Sequence, residues 1–138
     1  MAVKSLFPEK MMQGTSLSLD TIKAKLSYFE LQIHELHWQT RSLAEHLALG
    51  DAYDLVFDLK DEIVEKIMGY TGTRTKATAM EAIKNYTPGL PDTVISDLMT
   101  FAKQLEEFGE ANNMPDIENI AQGLSGSAAK IKYRLTLS

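Results

Sequence analysis

The chain has 138 residues, 44% hydrophobic and 24% charged, a balance typical of one globular domain rather than a disordered segment. It contains no cysteine, which excludes disulfides, thiolate metal sites and cysteine nucleophiles, and its net charge of −5 argues against nucleic acid as a partner. Because no apolar run is long enough for a membrane span or a signal peptide, we expect a cytoplasmic protein with no membrane partner.

Hydrophobic residues recur three and four positions apart in four long segments, which is the pattern of helices that bury one face. Ser16 or Ser18 is expected to cap the first segment, and Pro115 lies at a favourable first-turn position of the fourth. The apolar stripes span residues 19–36, 52–70, 94–108 and 117–135.

Residues 76–86, between the second and third stripes, have the pattern of a short amphipathic helix that the turn sequence at residues 87–91 ends. No segment alternates as a strand does. We therefore predict one all-α domain over residues 1–138, an antiparallel four-helix bundle with a short extra helix in the crossover between the second and third long helices. Residues 1–15 are expected to form an extended N-terminal arm.

All three histidines, His34, His37 and His46, lie close together in the sequence. A lone histidine beside an apolar stripe is usually a partly buried polar side chain. Because all three histidines cluster, metal binding is about as favoured as this structural role, since imidazole is a versatile metal ligand at neutral pH.

An acidic stripe follows the histidines on the second helix. Asp54, Asp58, Asp61 and Glu65 are spaced 4, 3 and 4 apart, so they share a face opposite the apolar stripe. Such a face is commonly just solvated, but like charges one turn apart repel, which favours a cation or a partner. Carboxylates and imidazoles without thiolates suit iron, manganese or zinc. The Glu-x-x-His pairs of intra-bundle di-iron centres are absent.

Three short motifs resemble those of the Dps proteins (DNA-binding proteins from starved cells), which belong to the ferritin-like superfamily. Residues 33–38 (IHELHW) resemble the I-H-x-x-H-W stretch, residues 44–46 (AEH) the second conserved histidine, and residues 61–66 (DEIVEK) the acidic signature. The resemblance implies a ferritin-like bundle.

The resemblance also implies the ligands of a ferroxidase centre, which are its catalytic residues, together with three near neighbours. The implied ligands are His37, His46, Asp61 and Glu65, and the neighbours are His34, Asp51 and Trp38. The connection from the first to the second histidine ligand is short for that family. Gly50 stands where an acidic residue is usual, and Lys66 replaces an arginine.

The function implied by the resemblance is Fe(II) binding and oxidation, with peroxide as the favoured oxidant, and storage of ferric iron in a hollow homododecamer that protects against oxidative damage. Zinc or manganese would be substitutes for iron. Since Asp61 and Glu65 point away from the apolar stripe of their own helix, we expect sites at two-fold interfaces. Each would take His37 and His46 from one chain and the two carboxylates from the other.

Two alternatives remain. One is a structural or DNA-compacting assembly protein of the same type that has lost ferroxidase activity, and the other is a small helical adaptor with an incidental acidic face. Before Thr15 the only basic residues are Lys4 and Lys10, so we expect weak DNA binding or none.

Overall fold

The computed structural model describes residues 17–138, and within this range it contains four α-helices and no strand. The helices are α1 (Leu19–Gln39), α2 (Leu43–Thr71), α3 (Leu90–Ala111) and α4 (Pro115–Leu135). The predicted all-α class is confirmed, and each predicted apolar stripe lies on one of these helices. The expected arm at residues 1–15 lies outside the described residues. In the described range, no helix is sufficiently long and apolar to cross a membrane.

The helix ends follow from local sequence chemistry. Ser18 caps α1 because its hydroxyl accepts a hydrogen bond from the Thr21 N–H, while the Thr21 hydroxyl accepts one from the Ser18 N–H. α2 ends at Gly72, whose φ of +73° is in the left-handed region that favours glycine. Pro115 occupies the first turn of α4, where the missing N–H costs no helical hydrogen bond.

The core lies where the four helices meet. α1 packs mainly on α2 and α3 mainly on α4, with further contacts between α2 and α4 and between α1 and α3. Tyr70, at the end of the second predicted stripe, is exposed because it lies in the last turn of α2. The largest side chains that are fully buried are Ile22, Leu26, Ile33, Leu36, Leu49, Ile63, Ile67, Ile95, Leu98, Phe101 and Leu105.

The crossover between α2 and α3 (residues 72–89) contains no α-helix, so the prediction of a short helix at residues 76–86 is wrong. Met80 and Ile83, which would have formed the apolar face of that helix, are both exposed. A helix of this length is unstable unless it buries such a face. The crossover instead follows an irregular course.

Polar side chains of α1 hold the crossover by binding its main chain. Gln32 is fully buried and forms two hydrogen bonds with Lys84. Its Oε1 accepts from the Lys84 N–H (2.7 Å), and its Nε2 donates to the Lys84 carbonyl (3.0 Å). The crossover therefore lies along α1, and a buried side chain of that helix satisfies both main-chain polar groups of Lys84. Similar contacts join the Lys76 N–H to Asp20 (2.8 Å) and the Tyr86 N–H to Gln39 (2.6 Å).

Replacing Gln32 with alanine tests this attachment. The substitution removes the side-chain amide that bonds both the N–H and the carbonyl of Lys84 at a buried position. Gln32→Ala is therefore expected to lower the free energy of unfolding by about 1–3 kcal/mol. The control is Gln122→Ala, which removes an exposed side chain whose only hydrogen bond within residues 17–138 is to Glu106, and is expected to cost less than about 0.5 kcal/mol. Urea unfolding followed by circular dichroism measures both. Equal effects would show that Gln32 does not hold the crossover.

Candidate metal centre at the turn between α1 and α2

The three-residue turn between α1 and α2 brings His37 and His46 together, with ring centroids 3.9 Å apart and ring planes inclined by 16°. Each histidine binds the main chain of the other. The His37 Nδ1 donates to the His46 carbonyl (2.7 Å), and the His46 Nδ1 donates to the His37 carbonyl (2.9 Å). Because a carbonyl oxygen only accepts, we assign the proton of each neutral ring to Nδ1, which leaves the lone pair on Nε2.

This hydrogen-bond pattern is the one that metal-binding histidines have. A ligand imidazole usually donates one ring N–H to a carbonyl or carboxylate, and this fixes the tautomer and the orientation of the nitrogen that binds the metal. The ring lone pair lies in the ring plane, and the planes of His37 and His46 are close to parallel. In this arrangement the two Nε2 atoms do not converge on a single ion, so each histidine would hold an ion of its own.

Gly50 provides the space that the His37 ring occupies on α2. A Cβ atom built at position 50 would lie 3.0 Å from Cε1 and 3.2 Å from Nδ1 of His37. These distances are too short for an ordinary contact, so any side chain there would force the ring to shift. From the sequence alone, Gly50 stood out only as a missing acidic residue. Its role here is to let the imidazole approach the helix backbone.

Glu45 joins the turn to the crossover. Its carboxylate accepts hydrogen bonds from the hydroxyls of Thr40 (2.6 Å) and Tyr86 (2.8 Å). Its N–H donates to the hydroxyl of Ser42, the residue that caps α2. The hydrogen bond to Glu45, with burial and the negative charge of that carboxylate, raises the pKa of Tyr86. Sequence reasoning missed this role of Glu45, because its partner Tyr86 lies in a segment expected to be helical.

Beside the histidine pair lies a row of rings that we call the aromatic surface: His34, Trp38, Tyr53 and Phe57. The His34 ring lies 3.8 Å from both the Trp38 and the Tyr53 ring, and Phe57 follows 6.0 Å from Tyr53. Trp38 is 63% exposed and Phe57 52% exposed. Sequence reasoning placed His34 and Trp38 near the site but missed Phe57, which the one-turn spacing from Tyr53 would have indicated.

The structure does not bring the carboxylates of the predicted site to the histidines of the same chain. Asp61 and Glu65 are exposed on α2, about 22 Å and about 28 Å beyond His46 at the helical rise per residue. Asp51 forms an ion pair with Arg134 (2.6 Å). Across residues 17–138, no group of three or more histidine, aspartate or glutamate side chains is placed to hold a metal ion.

Comparison with known proteins identifies the family. DUF5856, a family of unknown function, matches residues 37–135, and the chain belongs to this family. The sequence is also 29% identical over 130 residues to an uncharacterized 14.6 kDa protein of the mobD-ri intergenic region of Enterobacteria phage T4. That alignment covers 86% of this chain and 85% of the phage protein. No solved structure matches the sequence.

The assignment to the Dps proteins and the ferritin-like superfamily is therefore wrong, since the family match and the phage relative give no support for it. The resemblance depended on three short motifs at residues 33–38, 44–46 and 61–66. Histidine and acidic residues at helical spacing are common on amphipathic helices, so short motifs of this kind recur in unrelated helical proteins. The helix predicted at residues 76–86 is also not formed.

The close approach of His37 to Gly50 gives a matched pair of substitutions. Gly50→Ala places a methyl group against the His37 ring. The usual cost of overpacking, about 1–3 kcal/mol, exceeds the gain in helix propensity of about 0.5–1 kcal/mol, so we expect a net loss of about 0.5–2 kcal/mol in the free energy of unfolding. Gly69→Ala lies on the same helix, and beyond that helix's own backbone no atom of residues 17–138 is within 4 Å of the new Cβ, so this substitution should instead gain about 0.5–1 kcal/mol through helix propensity. Thermal unfolding compares them. Stabilisation by both would contradict the described contact.

Proposed function

We propose that the protein binds Fe(II) as its substrate, oxidises it and holds the ferric product within a homo-oligomeric shell. The observation that carries this proposal is the reciprocal hydrogen bonding of His37 and His46, which holds two half-buried imidazoles at one turn with Nδ1 as the donor of each, so that the neutral form of each ring has its lone pair on Nε2. Imidazole and carboxylate ligands together suit Fe(II), with zinc or manganese as substitutes.

The carboxylate ligands would come from a second copy of the chain. Asp61 and Glu65 are exposed, and neither takes part in any of the ion pairs formed within residues 17–138. In a two-fold dimer, Asp61 and Glu65 of the partner subunit would face the histidines of the first subunit, and symmetry would produce two equivalent sites. The near-parallel rings favour two iron ions in each site, one on each histidine.

These side chains would favour oxidation through their charge. The carboxylates stabilise a trivalent ion more than a divalent one, because their attraction for the ion scales with its charge. With peroxide as the oxidant, two Fe(II) ions each give up one electron. The O–O bond breaks, and two protons from solvent complete two molecules of water. The proposed dodecameric shell would enclose the ferric product.

We propose further that the four helices form an antiparallel bundle, the arrangement of ferritin-like folds. Two ion pairs support this arrangement. Arg134, near the end of α4, contacts Asp51 near the start of α2 (2.6 Å), while Lys66, near the end of α2, contacts Asp116 at the start of α4 (3.3 Å). Within residues 17–138, the long connection between α2 and α3 corresponds to the single crossover of such bundles.

A structural assembly protein without metal chemistry is the second candidate. It is favoured by the aromatic surface, where the rings of Trp38 and Phe57 are more than half exposed. Exposed aromatic side chains in a row are typical of protein–protein interfaces. Both candidate functions include the proposed oligomer, but only the first includes an iron site. A measurement of iron binding therefore distinguishes them.

Anaerobic titration with Fe(II), followed by peroxide and absorbance measurement, tests the proposal. Asp61→Asn removes a proposed ligand. Loss of a group that only hydrogen-bonds a metal ligand already weakens metal binding about tenfold or more, so this substitution is expected to weaken iron binding by at least that factor. Asp58→Asn neutralises an exposed carboxylate one turn away that is not a proposed ligand, and should leave the affinity nearly unchanged.

Size-exclusion chromatography accompanies the titration, and the protein should elute far above the mass of one chain. Oligomers that do not bind Fe(II) would favour the structural candidate. A monomer at micromolar concentration, or equal affinities of the two variants, would contradict the proposed inter-subunit site.

A further inference from the structure

The end of the crossover bridges the two helix ends that carry the histidine pair. On one side, the main-chain N–H of Tyr86 donates to Oε1 of Gln39, the last residue of α1 (2.6 Å). On the other side, the Tyr86 hydroxyl donates to the carboxylate of Glu45 in the first turn of α2 (2.8 Å). Gln39 lies two residues after His37, and Glu45 directly precedes His46. One crossover residue is therefore bonded to both helix ends.

Further hydrogen bonds connect this contact to the turn between the helices. The Thr40 hydroxyl donates to the same Oε1 of Glu45 that accepts from Tyr86. The Nε2 of Gln39 donates to Oδ1 of Asn85 in the crossover (3.0 Å). Bonds to a charged carboxylate are stronger than bonds between neutral groups, so Glu45 is the stronger anchor. The crossover end, the end of α1 and the start of α2 thus form one hydrogen-bonded network.

The crossover depends on such polar anchors because it buries little apolar surface. Residues 76–85 are all exposed, whereas Tyr86 is half-buried and packs against the core. Segments with few buried apolar contacts open locally at a low free energy. We therefore expect two states of the crossover end, one attached to Gln39 and Glu45 and one detached. In the detached state the turn loses the bonds that Tyr86 makes to both helix ends.

We propose that Glu45 and Tyr86 are positioning residues for the histidine pair, and that attachment of the crossover end and metal binding are coupled. The attached state holds α1 and α2 in the register in which His37 and His46 exchange their hydrogen bonds. Attachment then raises the affinity for a metal ion, and a bound ion stabilises attachment by the same factor, because such coupling is reciprocal. The inference rests on the metal binding of the proposed function.

Titration of the full chain with Zn²⁺, followed through the histidine Nε2 signals, tests the first half of the coupling. Tyr86→Phe removes the hydroxyl that bonds Glu45, and is expected to weaken Zn²⁺ binding about fivefold or more, the lower end of couplings between sites. The control is Tyr133→Phe, which removes the hydroxyl of an exposed tyrosine on α4 and should leave the affinity unchanged. Circular dichroism checks that each variant is folded.

Substitutions of Glu45 distinguish positioning from direct metal binding. Glu45→Ala removes the acceptor of both hydroxyls and is expected to weaken Zn²⁺ binding by a similar factor. Glu45→Gln keeps an Oε1 atom that can accept from Thr40 and Tyr86, so it should restore most of the affinity although it lacks the charge. A metal ligand would instead lose its function in both variants.

Hydrogen exchange of main-chain N–H groups measures the reciprocal effect. In the attached state the Tyr86 N–H is bonded to Gln39, so Zn²⁺ should slow its exchange by about the same fivefold factor. The Lys76 N–H, which bonds Asp20 at the other end of the crossover, should not change.

Equal Zn²⁺ affinities of the Tyr86→Phe and Tyr133→Phe variants, or a Tyr86 exchange rate that Zn²⁺ leaves unchanged, would overturn the inference. Glu45→Gln binding as weakly as Glu45→Ala would also overturn it. If the unaltered chain binds no Zn²⁺, the proposed function and the coupling both fail, and the histidine Nδ1–H signals decide the positioning role. Their loss in Tyr86→Phe would support that role, and signals that stay unchanged would overturn it.

Discussion

The two hydrogen bonds that His37 and His46 exchange with each other's main-chain carbonyls determine the geometry at this end of the molecule. They fix α1 against α2 at the turn and select the tautomer of both rings. They also require Gly50, since the ring of His37 lies where a side chain at that position would be. The capability proposed for the protein, metal binding through two Nε2 atoms, depends on these two bonds remaining formed.

The crossover is the second determinant of the structure, because it contacts two separate regions of the molecule. At one end Tyr86 binds Glu45 and so supports the turn that carries the histidines. Nearer its middle, Glu81 borders a cavity that Tyr28 also lines. Between them, the buried Gln32 holds the crossover main chain on α1. A helix in this segment would have bonded its own main chain and left Gln32 buried without a partner.

Sequence periodicity predicted the four helices, since each buries a regular apolar stripe and carries its own start or stop signals, such as Ser18 and Gly72. It failed at the crossover, where the main chain bonds to side chains about fifty residues earlier in the sequence, such as Gln32. The clustering of histidines indicated His37 and His46, but their mutual bonds depend on the turn and could not be read from spacing. Short motifs led to the wrong family.

Ring tautomers test the central claim most directly. Long-range proton–nitrogen correlation spectra of the histidine side chains, recorded above the pKa of free histidine, report which nitrogen carries the proton. The expected result is Nδ1–H for both His37 and His46, with addition of Zn²⁺ shifting the Nε2 signals of these two rings. Nε2–H tautomers, or Nε2 signals that Zn²⁺ leaves unchanged in the oligomer, would contradict the proposed metal centre.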